Sequence, residues 1–292
     1  MIMKLKSGIK IYGEHLEEVL EINSGLVHHS KQEPVEIAFK NIKFKAQYEP
    51  NAHLAKRDWR KLSELELYTL KGDHVNKKDY NSVFIGEIPE ELKDMFHKLN
   101  LHSATSDGDA FQKFMDNKEL VHELNTHLNG VLDEISLAPY RFMSIATNYP
   151  NSEVVSLNKR KLPENFTFKD IHFIGVHKDS SKDMTLHTCY RYGNRFTINL
   201  GEQARYFLFV NLTMKQAYKM LKEKEELKDA EITNENITDY FLEHYPDYPV
   251  IKVKQEPYQF YIAPTDNCFH DGTTIGNTAI DVVMTYLGKF CI

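Results

Sequence analysis

Ile171–Val210 reads IHFIGVHKDSSKDMTLHTCYRYGNRFTINLGEQARYFLFV, and its interpretation governs that of the rest of the chain. An apolar run, Phe173 to Val176, stops at His177-Lys178-Asp179. In an extended segment the side chains of residues i and i+2 point to the same side. His177 and Asp179 therefore converge, and Lys178 turns away toward solvent. A neutral imidazole and a carboxylate aimed at one point are two of the three ligands of a 2-His-1-carboxylate triad. Such a triad holds Fe(II) and leaves positions open for a co-substrate and O2. A further His at a distant strand end would complete it, and His270, in YIAPTDNCFHDG, is so placed. Two other readings stand beside this one. The same ligands suit zinc, although there is no HExxH and no second carboxylate spaced to act as a hydrolytic base. Alternatively, His177 and Asp179 cap a turn, and the chain is a non-catalytic jelly-roll binding protein.

Working outward, Gly193-Asn194 and Gly201-Glu202 are turn signals that divide the stretch into short segments, HTCYRYG, RFTINLG and RYFLFVNL, each expected as a strand. Upstream, PYRFMSIATNYP has strand texture; downstream, so do VIKVKQEPYQFYIAP and a closing AIDVVMTYLGKF. Several short strands at this spacing predict a barrel or jelly roll over 136–292. A helical insert at about 213–245 interrupts them. Its first helix opens on Thr213 with Gln216 three residues on, the pattern of a capping box, and its second runs over about 236–244. Residues 1–135 read as a mainly helical α+β wrapper. In it, Pro89-Glu90-Glu91 opens a helix, and Phe111, Phe114, Leu120, Val121, Leu124 and Leu128 mark an imperfect apolar stripe over 110–132.

Composition narrows the function. The chain has 292 residues, 41% of them hydrophobic, which is enough for a large core. Net charge is −6 and the cations are scattered, so no basic stripe predicts nucleic-acid binding. No stretch approaches the ~20 apolar residues of a membrane span, and no apolar segment follows the first lysines as in a secretory signal. Three cysteines, Cys189, Cys268 and Cys291, suit a reducing cytoplasm better than a disulfide framework.

Over residues 140–292, the order of His-x-Asp after an apolar strand, two further strands and a distal His resembles the Fe(II)/2-oxoglutarate-dependent oxygenases. The resemblance implies a double-stranded β-helix core and His177, Asp179 and His270 as iron ligands. It also implies 2-oxoglutarate as co-substrate and hydroxylation as the reaction; because the sequence shows no peptide- or nucleic-acid-binding signature, a small molecule such as an amino acid or a natural-product intermediate is the expected substrate. Asp179 keeps the position that the related halogenases leave to halide. Many members carry an Arg about ten residues past the distal His, to pair with the far carboxylate of 2-oxoglutarate. Here that region, Asn277 to Val282, has no cation. Other branches supply one from the strand after the His-x-Asp hairpin, where Arg205 stands; Arg195 and then Arg191 are the alternatives. Asn199 and Asn148, polar residues within apolar strands, are candidates to hydrogen-bond a carboxylate. His172 and His187 are expected near the metal without binding it, and Asp271 in a turn or supporting contact.

Overall fold

In RFTINL and DVVMTYLG every second residue is large and apolar, and each strand buries that face. The computed structural model describes residues 3–72, 78–158, 162–163, 167–181 and 183–292. In it the two segments are neighbouring strands, Asn194–Asn199 and Asp281–Gly288. The second also pairs antiparallel with Arg141–Asn148, so it lies inside its sheet. The complete order is Ile11–Tyr12, Val83–Glu87, Gln259–Ala263, Asn194–Asn199, Asp281–Gly288 and Arg141–Asn148. A second sheet runs His270–Thr273, Arg205–Phe209, Ile251–Gln255, Leu20–Ile22 and Arg60–Lys61.

Side-chain alternation sorts the core into layers. Phe196, Ile198, Phe260, Ile262, Val282, Met284 and Tyr286 face outward from the six-stranded sheet. They pack on Leu92, Met95, Phe96 and Leu99 of the Glu90–Leu99 helix and on Leu124, Leu128 and Leu132 of Lys118–Ile135. The opposite face meets the second sheet, where Phe207, Phe209, Ile251 and Val253 pack with Val83, Tyr261 and Ala263. Outside the second sheet, Leu208, Val210 and Phe269 pack against the helices Met214–Lys222 and Ile237–His244. The fold is thus mixed α+β, built mostly from sheets.

Several expectations meet their elements. Thr213 accepts from Gln216 N–H within a capping box. The helix Glu90–Leu99 opens directly after Pro89, with Glu90 and Glu91 in its first turn. Others differ. HTCYRYG holds a 3-10 turn, Cys189–Arg191, because the Gly193 turn follows too soon for the segment to extend along a neighbour. The expected 110–132 helix is two helices, broken at Asn117 (φ −122°, ψ 45°), and Phe111 is 58% exposed. The imperfect stripe was the trace of that break. Residues 1–135 are not only a helical wrapper, since they supply strands to both sheets; two- and three-residue strands are too short to show a period. Part of the polar segment 151–165 lies outside the described residues. No helix among the described residues is long and apolar enough to cross a membrane.

Phe196 is fully buried, with its ring centroid 4.6 Å from that of Phe260 and 5.8 Å from that of Phe290. Phe196→Ala is expected to cost about 3–5 kcal/mol in chemical denaturation. Phe111→Ala, at an exposed site, is expected to change stability by less than about 0.5 kcal/mol.

Candidate metal centre

Gly175 and Val176 lead the chain into the site. Gly175 has φ +74°, and a Cβ there would lie 2.6 Å from the His53 carbonyl oxygen. Val176 N–H donates to that same oxygen at 2.9 Å. The next residue, His177, forms a backbone pair with His270. His177 N–H donates to His270 O at 3.0 Å, and His270 N–H donates to His177 O at 2.7 Å. Residues directly opposite in an antiparallel pair project to the same side, and the two rings lie 4.6 Å apart. Asp179 turns to that side as well. Its Oδ1 is 3.8 Å from His177 Nε2 and its Oδ2 is 3.3 Å from His270 Nε2. One ligand atom from each of His177, Asp179 and His270 lies within 4.8 Å of the other two.

The remaining ring nitrogens show whether these residues suit a cation. His177 Nδ1 donates to Gly175 O at 2.9 Å, and His270 Nδ1 donates to Cys268 O at 3.4 Å. A carbonyl can only accept, so both Nδ1 atoms carry hydrogen and Nε2 faces Asp179. Metal-binding imidazoles are held this way, with the outer N–H on a carbonyl and the inner nitrogen on the ion. Burial opposes the charge on Asp179, but Arg195, His270 and His177 outweigh it and hold the carboxyl well below the usual range. Burial likewise works against a charged His270, and Asp179 outweighs it, so this imidazole titrates well above its usual range. Burial, with His270 beside it, lowers His177. The inner Nε2 atoms of both imidazoles and the Asp179 carboxylate thus face one point, where a divalent cation would meet all three. The donor set fits the metal.

The arginines divide by partner. Arg195 Nη1 lies 2.7 Å from Asp179 Oδ2 and 3.5 Å from Asp266 Oδ1. It is engaged with the site's own carboxylate, which its place at the start of a strand did not reveal. Asp266 is 1% exposed; burial pushes its carboxyl up and Arg195 opposes that shift. Arg205 is 3% exposed, with Nε donating to Asp281 Oδ2 at 3.1 Å and Nη1 to Gln255 Oε1 at 3.2 Å. Arg191 lies on the exposed turn before the sheet, where its Nε donates to Tyr190 Oη, so it faces no carboxylate of the site.

Other candidates are displaced. Asn199 donates Nδ2 to Gln203 O and Gln255 O and accepts from Gly201 N–H, so its amide holds a turn and has no hydrogen left for a ligand. Asn148 donates to Asp281 Oδ2 at 2.7 Å. His172 is exposed on Gln47, and His187 is exposed beside Tyr218; neither reaches the centre. Lys178 does turn away from the site, but into the core rather than to solvent. It is 8% exposed, its Nζ donates to Asp179 O at 2.8 Å, and burial lowers its pKa. Asp271 Oδ1 accepts from the N–H groups of Val155, Ser156 and Gly272, and its Oδ2 lies 3.8 Å from His177 Nδ1. The signal for Asp281 was available in the sequence: a lone acid inside AIDVVM must find a buried partner.

No protein-family profile matches the chain, and no curated protein matches it. Two solved structures are similar in part, both of HygX from Streptomyces hygroscopicus. The apo form has 10% identity and a TM-score of 0.29, over 78% of this chain and 88% of that one. The form with nickel, 2-oxoglutarate and hygromycin B bound has 9% identity and a TM-score of 0.29, over 78% and 87%. The side chains of the centre, rather than this likeness, bear on function.

Gly175→Ala is expected to displace the carbonyl that orients His177. Stability should fall by about 1–3 kcal/mol in thermal denaturation. A Co(II) titration of the folded variant should show weaker binding than the parent.

Proposed function

We propose that the chain is a non-haem Fe(II)- and 2-oxoglutarate-dependent oxygenase with a double-stranded β-helix core, hydroxylating a small molecule. The observation that carries this reading is the convergence of His177 Nε2, His270 Nε2 and the Asp179 carboxylate, with both outer Nδ1–H groups on backbone carbonyls. Two imidazoles and one carboxylate offset a single charge of the ion and occupy one face of it. The chemistry that the metal supplies when bound balances as substrate C–H, 2-oxoglutarate and O2 giving the alcohol, succinate and CO2.

The chain's own residues have separate tasks in this reading. Arg195 holds one oxygen of Asp179, which fixes the carboxylate's rotation. Arg205 takes the far carboxylate of 2-oxoglutarate. Its strand leads from the guanidinium past Phe207 to Phe209, which pairs with His270. Phe207 stacks on Tyr261 with centroids 4.3 Å apart, and its ring is 6.0 Å from His270, so the wall between anchor and centre is dry. A Cβ on Gly272 would lie 2.7 Å from Arg205 Nη2, so the glycine keeps that approach open. Asp281 compensates the Arg205 charge when no co-substrate is there. Asp281 stands eleven residues beyond His270, where an arginine was expected, so the polarity of the pair is reversed between strands.

Anaerobic protein given Fe(II) and then 2-oxoglutarate should develop the visible metal-to-co-substrate charge-transfer band and, with O2, release succinate. His177→Ala, Asp179→Ala and His270→Ala should each lose the band. Zinc retained on purification, with no band and no succinate, would favour the hydrolase instead. A protein that binds no divalent metal would favour the structural role.

The Arg205–Asp281 pair gives a second test. Arg205→Met leaves the buried Asp281 carboxylate without its cation and should cost about 3–5 kcal/mol of stability. Arg205→Met with Asp281→Asn should recover much of that. The double variant should keep Fe(II) binding, and its half-saturating 2-oxoglutarate should rise about ten- to 150-fold, the size of one lost charge-assisted contact. Unchanged 2-oxoglutarate binding would rule Arg205 out as the anchor.

A further inference from the structure

Strand register places two rows of side chains on the wall that faces the metal centre. Arg141, Leu287, Arg195 and Ala263 lie side by side across four strands. Arg195 reaches Asp179 from this row, so the row looks into the site. Arg141 stands on the same face, two strand spacings or about 10 Å from Arg195, at the open edge of the sheet. Its neighbour Phe142 points the other way, its ring 5.6 Å from that of Tyr286, which packs on the helices. The next row on the inner face is Ser144, Thr285, Thr197 and Tyr261, a line of four hydroxyls. They pass from exposed Ser144 through half-buried Thr285 to buried Thr197 and Tyr261. Thr197 and Thr285 are hydrogen-bonded at 3.3 Å.

Of the three arginines on these walls, two are neutralised: Arg195 by Asp179 and Asp266, and Arg205 by Asp281. Arg141 is exposed and has no hydrogen bond or ion pair among the described residues. A guanidinium without a carboxylate, at the rim of a hydroxyl-lined wall, binds an oxyanion in a two-pronged contact. We propose that the substrate is a small polar molecule carrying a carboxylate or phosphate, and that Arg141 anchors that group while the rest of the molecule lies across Leu287 and the hydroxyl row toward the centre. This rests on the oxygenase reading.

The test uses the full chain loaded with Fe(II) and 2-oxoglutarate. Succinate release is measured with L-amino acids against their amides, and with sugar phosphates against the parent sugars. The two sets separate a carboxylate from a phosphate as the recognised group. Acids or phosphates should stimulate release, and their counterparts lacking the anionic group should not. Arg141→Met should keep the charge-transfer band and raise the half-saturating concentration of the stimulating anion about ten- to 150-fold. Arg141→Lys should recover part of the loss. Equal stimulation by the counterparts lacking the anionic group, an unchanged response in Arg141→Met, or a band with no stimulation by any anion would overturn the Arg141 assignment alone. Absence of the band would remove the oxygenase reading and this inference with it.

Discussion

Two backbone hydrogen bonds between His177 and His270 are the constraint on which the site depends. Almost a hundred residues separate the two histidines in the chain, yet their main chains are paired atom for atom. The pairing sets the distance between the rings and turns both to one side. Asp179 follows two residues on, outside any strand, with its N–H donating to Thr265 O at 3.2 Å. Nothing in this arrangement needs a flexible loop to close, since Val176 and Gly175 are tied to His53 on one side and Phe209 pairs with His270 on the other. His270 opens a strand, His177 joins it through the backbone bridge, and Asp179 lies in irregular chain just beyond.

Charge is then arranged around this frame in compensated groups. Asp179 is shared by His270 and Arg195, and Arg205 is matched by Asp281. A buried ion left unpaired costs several kcal/mol, and the two interior arginines each meet a carboxylate, whereas Lys178 is held by the Asp179 carbonyl and burial lowers its pKa. Gln255 and Asn148 complete the Arg205–Asp281 group with uncharged hydrogen bonds. Arg141 departs from this rule because it stands at the rim, where water solvates it. The contrast between paired interior arginines and an unpaired one at the edge gives the wall a direction, from a neutral interior to a cationic mouth.

The helices serve this wall from behind. Outward residues of the six-stranded sheet are covered by Glu90–Leu99 and Lys118–Ile135, which leaves the inward face free to carry hydroxyls and charges. Because neighbouring residues of a strand serve opposite faces, Phe196 and Thr197 are adjacent in sequence but lie on the outer and inner faces of the sheet respectively.

Much of this was legible in the chain itself. The three residues of the centre, the strands over 141–148, 194–199 and 205–209, and the capped insert helix follow from short-range rules: alternation, turn residues and side-chain caps. These rules act within a few residues, so the sequence carries them openly. What escaped it depended on contacts between distant segments. Cys189–Arg191 could not extend as a strand beside the Gly193 turn, Lys178 found a buried pocket instead of water, and Asn199 was taken up by its own turn. Arg195 and Arg205 each open a strand and look alike in sequence. Only tertiary structure separated them, by setting one against Asp179 and the other against Asp281. The sequence by itself determined which side chains share a face of a strand. Which strands lie opposite one another, and therefore which charges meet, was decided by packing of the two sheets, because register between strands depends on the whole core and not on either strand alone.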